Sequence, residues 1–340
     1  MSWIKNLLII SGVVFLFLLI IESSVKHLLG FKEVIQGDTS CKVYNSEKDF
    51  SYYKSNCNLF HKHWEQDIGI NYNSNSFGRR DGAKNTGEKL IAFIGDSFSF
   101  GAMVPIDENF NYKALKYLGD LNYGGHNFGV SGEQFQNILA KLRNLDFSKY
   151  EKIVYGLTPN DLFDIVEGTT LSSITTGEEP KSDYSSSLLF YEKIKKILLS
   201  TATSRALLHK FMSNDNVYFK TYMSRKPYSD YLKSPLPDNY SAALEEALDQ
   251  LSKLNSNLKS KILILLLPQR IEVVASRLNI LKSDFSDKFL SICEAKKISC
   301  GISNISKLSQ LDESHFPVDG HLTIEGNDII AHDLVKLLKQ

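Results

Sequence analysis

Short apolar runs of strand type alternate with helix-like patterns through most of this 340-residue chain, a rhythm that points to a parallel sheet whose strands are joined by crossover helices. The runs are Leu90 to Ile94, a brief one ending at Phe128, Ile153 to Leu157, Lys261 to Leu267 and a short one near Ile298 to Ile302. Apolar residues at helical spacing mark Asn109 to Leu118, Glu133 to Leu145, Ala242 to Leu254, a stretch within Ser283 to Lys297, and Asn327 to Leu338. The expected fold is therefore a three-layer α/β/α domain with a parallel, flavodoxin-like sheet of about five strands. Ligands of such sheets bind beyond the carboxyl ends of the strands. The residues that directly follow each run are where chemistry is to be sought.

After Ile94 comes Gly95-Asp96-Ser97-Phe98-Ser99-Phe100-Gly101, which sets a serine at the sharp turn where a buried strand ends. The second run leads into Asn127-Phe128-Gly129-Val130-Ser131-Gly132, the third into Thr158-Pro159-Asn160-Asp161, and Asp319-Gly320-His321-Leu322 stands near the end of the chain. Gly-Asp-Ser alone says little, since serine is also a common helix N-cap. The order and setting of the four segments carry more: over roughly Glu88 to Gln340 the chain resembles the GDSL/SGNH hydrolases. It departs from them at Thr158, which stands in the usual glycine position of the third block.

The resemblance implies serine-dependent acyl-ester chemistry, which needs a nucleophile, a base, a group that orients the base, and donors for the oxyanion. Ser97 would be the nucleophile, His321 the base and Asp319 the orienting carboxylate. The backbone N–H groups of Ser97 and Gly129 and the side-chain amide of Asn160 would form the oxyanion hole. Asp96 reads as a brace for its loop, and Asn160 can also be read as an Asx-turn residue. His321 is preferred to His315, which has no Asp two residues before it. The expected activity is hydrolysis of a carboxylic ester, such as an O-acetyl group on an envelope glycan or a lipid acyl ester. Two alternatives stay open: transfer of the acyl group to a glycan hydroxyl, and a non-catalytic glycan-binding domain. No cofactor is expected, nor is a metal, because His61 and His63 have no acidic or cysteine partner at suitable spacing.

Lys plus Arg and Asp plus Glu both number 39, so nothing suggests nucleic acid as a partner. Leu7 to Ile21 is an uninterrupted uncharged run of 15 residues, shorter than the ~20 of a full membrane span. Trp3, Ile4, a snorkelling Lys5 and Val25 extend it to a spanning helix. Glu22-Ser23-Ser24-Val25-Lys26 offers no good signal-peptidase site. The expected arrangement is an uncleaved signal anchor with the catalytic domain extracytoplasmic, a cleaved signal peptide being the main competitor. Cys41 with Cys57 and Cys293 with Cys300 would then form two local disulfides, four buried thiols being the cytoplasmic alternative.

The organisation that follows is an anchor over 1–25, a polar lead-in over 26–86 and a catalytic domain over 87–340, with an insertion at about 163–237. Within the lead-in, Asn75-Ser76-Phe77-Gly78-Arg79-Arg80 resembles a segment found before the nucleophile block in membrane-anchored relatives. No role can be read for it, and both arginines fit the surface. The insertion pairs a Ser/Thr-rich stretch, 169–187, with helical spacing over 188–212 and then Tyr218, Phe219, Tyr222, Tyr228 and Tyr231. It is expected to pack against the sheet or to act as a lid.

Overall fold

In the computed structural model the alternation becomes a five-stranded sheet, and the residues described are 2–28, 41–61, 63, 65, 69–119, 122–167, 201–224, 228–258, 261–280 and 284–340. Helix α1 (Ser2–Leu28) precedes two antiparallel strand pairs, β1 (Lys42–Asn45) with β2 (Phe50–Tyr53) and β3 (Phe60–His61) with β4 (Ile70–Asn71). Then follow β5 (Lys89–Gly95), α2 (Ser97–Phe100), α3 (Phe110–Tyr117), β6 (Tyr123–Asn127), α4 (Phe135–Asn144), β7 (Lys152–Leu157) and α5 (Phe163–Glu167). The insertion contributes α6 (Ala202–Met212), α7 (Asp215–Met223) and α8 (Tyr228–Tyr231). The chain closes with α9 (Asp238–Asn257), β8 (Ile262–Leu266), α10 (Arg270–Arg277), α11 (Phe285–Lys296), β9 (Ser299–Ile302), α12 (Ile305–Ser309) and α13 (Ile324–Leu338).

The strand order is β6-β5-β7-β8-β9 with every neighbouring pair parallel. That is the flavodoxin-like order, with its reversal beside β5. Side chains alternate across the sheet with period two. Ala92, Ile94, Ile153, Tyr155, Ile262 and Ile264 thus face the core shared with α4, α9, α10 and α11. Ile91, Phe93, Val154, Leu263 and Leu265 face the opposite core, closed by α3 and α13.

Helix α13 begins at Ile324, before the expected Asn327, because the Thr323 hydroxyl accepts the Gly326 N–H at 3.2 Å. Stretch 169–187 and the first part of the helix expected over 188–212 lie outside the described residues. Both cysteine pairs are disulfide-bonded, Cys41 to Cys57 and Cys293 to Cys300. Among the described residues no helix is long and apolar enough to cross a membrane. Side chains of α1 are described only over 11–24.

The lead-in is joined to the sheet through buried charge. Arg80, which the sequence left as a surface residue, is 3% exposed. Its guanidinium stacks on Tyr72 and Phe100 and donates to the carbonyls of Phe100, Gly101 and Val104 at 2.6–2.9 Å. It therefore grips the C-terminal end of α2. Glu133 and Lys141 form a second buried contact, an ion pair in which Glu133 also accepts the Ser51 N–H of β2 at 3.0 Å. Lys141 also donates to the Phe128 carbonyl at 2.9 Å. Removing one member of such a pair strands the other charge in the interior. Lys141→Ala should cost about 3–5 kcal/mol of unfolding free energy, and the double variant Lys141→Met with Glu133→Gln should recover much of it in chemical denaturation.

Candidate active site

The serine turn is built by backbone geometry. Gly95 has φ 148°, and a Cβ there would lie 2.8 Å from the Gly156 carbonyl of β7, so glycine lets β5 end abruptly against its neighbour. Asp96 caps α2 by accepting the Phe98 N–H at 2.9 Å. Ser97, the first residue of α2, is then partly exposed at the carboxyl end of the sheet.

His321 arrives from the loop before α13. Its Nε2 lies 2.7 Å from Ser97 Oγ, and its Nδ1 is in close contact with Asp319 Oδ1. A carboxylate can only accept, so Nδ1 carries the hydrogen and Nε2 is left to accept from the serine hydroxyl. Burial pushes Asp319 upward, but the charge and hydrogen bond of His321 outweigh it and hold the carboxyl at about 2. Burial works against protonation of His321, while the charge and hydrogen bond of Asp319 and the charge of Asp96 overcome it, so this imidazole titrates above its ordinary range. Hydroxyl, imidazole and carboxylate thus form one hydrogen-bonded chain, in which the serine proton can pass to Nε2 while Asp319 stays ionised.

Asp96 is the brace the sequence suggested. It is buried, and besides Phe98 it binds the Thr158 hydroxyl at 3.1 Å and the side chain of Asn160. Thr158, in place of glycine, has a structural use here. Its Oγ1 lies between Asp96 and Asp161, 2.9 Å from the latter. One hydroxyl hydrogen cannot serve two carboxylates. Burial raises both acids, and the charge of Asp96 raises Asp161 further.

Asn160 sits in the 3₁₀ turn Pro159–Leu162 and lines the cavity at Ser97. Its carbonyl oxygen accepts from Gln269, so that atom is not closing an Asx turn. The Gly129 N–H, expected as an oxyanion donor, donates to Asn127 Oδ1 at 2.9 Å. The glycine answers to packing, since a Cβ there would meet the Phe100 nitrogen at 2.5 Å. His315 is buried between Ser314 and the Pro268 carbonyl, and burial lowers it to about 3.

Two contributions were not read from the sequence. Glu65 accepts the N–H groups of Val318 and Asp319 at 2.8 and 2.7 Å and so fixes the loop that carries the carboxylate. Burial lifts Glu65 to about 7 in spite of those bonds. Arg270, at the start of α10, stacks on Tyr218 with 3.9 Å to the ring centroid and donates to the carbonyls of Met212 and Pro317. Tyr218, Tyr222 and Tyr228 of the insertion line the same cavity of about 170 Å³ as Ser97 and Asn160. This aromatic run belongs to the insertion read in the sequence as packing on the sheet or acting as a lid. Among the described residues no cluster of three or more His, Cys, Asp or Glu could hold a metal ion.

No family model and no curated protein sequence matches the chain. Solved structures similar to it are esterases and lipases. A member of the lipolytic G-D-S-L family from Veillonella parvula shares 10% identity at TM-score 0.39, covering 74% of this chain and 99% of that one. An acetylxylan esterase from Geobacillus stearothermophilus shares 12% at TM-score 0.38, covering 76% and 97%. A lipase from a goat rumen metagenome shares 18% at TM-score 0.35, covering 73% and 97%.

Proposed function

We propose that this chain hydrolyses carboxylic esters through an acyl-enzyme on Ser97. The observation that carries the reading is the continuous hydrogen-bond chain from Ser97 Oγ through His321 to Asp319. Ser97 Oγ attacks the ester carbonyl carbon as its proton passes to His321 Nε2, and the imidazolium returns that proton to the leaving alcohol. Water, deprotonated by the same nitrogen, then releases the acid. Asp319 holds the tautomer and balances the imidazolium. The Ser97 N–H and the Asn160 amide are the oxyanion donors in this reading. An amide carries two N–H bonds, so Asn160 can bind Asp96 and still offer one to the substrate.

Labelling with a small fluorophosphonate, with peptide mapping of the modified residue, tests the nucleophile. Label on a residue other than Ser97 would reject it. For Asn160→Ala, turnover should fall by about 10²- to 10³-fold with little change in thermal midpoint. A large stability loss with normal residual turnover would reassign the residue to the turn.

A second reading, transfer of the acyl group to a glycan hydroxyl, is favoured by the three insertion tyrosines around the cavity, since walls that exclude water favour another acceptor. An activated acetyl ester supplied with and without millimolar oligosaccharide separates the two. Free acetate should dominate, and acetylated sugar in excess of acetate would overturn hydrolysis.

The anchor belongs to the same proposal. Residues 13–20 of α1 include Val13, Phe15, Leu16 and Phe17 at 59–64% exposure, a surface suited to lipid. Glu22, near its end, accepts from Thr203 N and Oγ1 at 2.9 and 2.8 Å and so caps α6. With disulfides on the catalytic side, the chain is read as a single-pass membrane protein with an extracytoplasmic catalytic domain. Resistance to carbonate extraction, together with protease access from outside, tests it.

A further inference from the structure

His321 and Asp319 border two cavities. One, of about 170 Å³, also contains Ser97 and Asn160. The other, of about 280 Å³, touches neither and takes four of its lining residues, Tyr53, Leu59, His61 and Tyr72, from the segment before the sheet, with Phe100 and Ala102 among the rest. We infer that this second cavity is the subsite for the alcohol portion of the ester, and that it takes a ring-shaped alcohol with a flat apolar face. This rests on the proposed hydrolase reading and extends it to substrate class.

The chemistry divides the substrate between the cavities. When the Ser97 Oγ–carbon bond forms and the carbon–alkoxide bond breaks, the proton taken from Ser97 must travel from His321 Nε2 to the departing oxygen. That oxygen stands at the imidazole, and the group it carries points away from Ser97. The cavity with Ser97 and Asn160 receives the acyl portion; at about 170 and 280 Å³ both cavities fall below the ~300–1,000 Å³ of drug-sized ligand pockets, so the acyl portion and the single ring are both small. The larger cavity beside His321 receives the alcohol.

Its walls suit a ring. Tyr53 stacks on Phe100 at 5.0 Å between centroids, and Tyr72 lies 5.3 Å from the same ring. They are fixed in place: Tyr53 is hydrogen-bonded to the Ser131 backbone, and the Tyr72 hydroxyl accepts the Met103 N–H at 2.9 Å. Arg80 stacks on Tyr72 and Phe100, and Cys41–Cys57 staples the segment. Packed on one another, the three rings are only 3–6% exposed, and the part of them that borders the cavity, with polar atoms of His61 and Ser131 beside it, suits a ring that is apolar on the face and polar at the rim. Sugars and aryl alcohols share that chemistry.

The test fills the cavity from opposite sides in the full-length protein, with Leu59→Trp and with Ala102→Phe. For each, kcat/KM is measured on a mono-O-acetyl methyl glucoside, on phenyl acetate and on ethyl acetate, and compared with the parent. Each ring ester should lose at least about 10-fold relative to ethyl acetate in whichever variant folds. Loss on the sugar ester alone assigns the subsite to sugars, and loss on phenyl acetate alone to aryl alcohols. Equal change on all three, or none, overturns the proposal. Should the parent turn over no ester and leave Ser97 unlabelled, the hydrolase reading has failed by itself. The subsite is then read from saturation-transfer NMR with free methyl glucoside and phenol: binding that either variant abolishes supports it, and no binding refutes it.

Discussion

Ser97→Ala should lower hydrolysis of p-nitrophenyl acetate by about 10⁴- to 10⁶-fold and abolish fluorophosphonate labelling. The size follows from how the parts depend on one another. His321 Nε2 points at one hydroxyl, 2.7 Å away, so without it the imidazole has no proton to accept and Asp319 no imidazolium to balance. Oxyanion donors and binding would remain, so activity should stay above the uncatalysed rate. The fold should be unchanged, because Asp96, not Ser97, caps α2, and a midpoint within a few degrees of the parent is expected by circular dichroism. Labelling equal in the two proteins would exclude Ser97 as nucleophile.

Asp319→Asn should lower turnover by about 10⁴-fold, since an amide facing Nδ1 favours the wrong tautomer. It should also move the acid limb of the pH profile, and the sign is fixed. A base must be neutral to act, and Asp319 and Asp96 raise His321 above its ordinary range. In the parent the rise of kcat/KM with pH should therefore be centred above about 6.5, the ordinary imidazole value. Removing the carboxylate removes the leading stabilisation of the imidazolium, so the limb should shift to lower pH as the plateau falls. Glu65 and His63 also face Asp319, and both can broaden the transition. A limb that stays in place while activity falls would mean that Asp319 does not set the protonation of His321.

The sheet was legible because its signal is local. Leu90 to Ile94 and Ile153 to Leu157 are continuous apolar runs, and such runs become strands buried on both faces. Ser97 and Asn160 could be read as residues just beyond strand ends, which converge on one edge in this topology, whereas Asp319 and His321 follow a helix and rested on the resemblance of the last block. What was not legible depended on the path of loops. Gly129 was read as a donor because a glycine can approach a substrate, but nothing in the sequence shows that its N–H meets Asn127 or that the chain after Ser97 lies against it. Glu65 was out of reach in another way: it binds Asp319 across 254 positions, and nothing around it signals that distance. Arg80 stood in a segment that was noticed, but a guanidinium bound to three carbonyls looks in sequence like any surface arginine.

The grip of Arg80 on the end of α2 bears on where this chain can be cut. A soluble form trimmed to the start of β5 would look reasonable from the strand pattern, since it keeps every residue of the hydrogen-bond chain from Ser97 to Asp319. It would lose the guanidinium that holds Phe100, Gly101 and Val104, the carboxylate that holds Val318 and Asp319, and the β2 contact to Glu133. The serine turn and the histidine loop would then each lack an outer support. A fragment that begins ahead of Cys41 keeps all three, and with them a disulfide that can close. The shortest stable form of the domain is set by these buried tethers, and the first strand of the sheet lies well inside it.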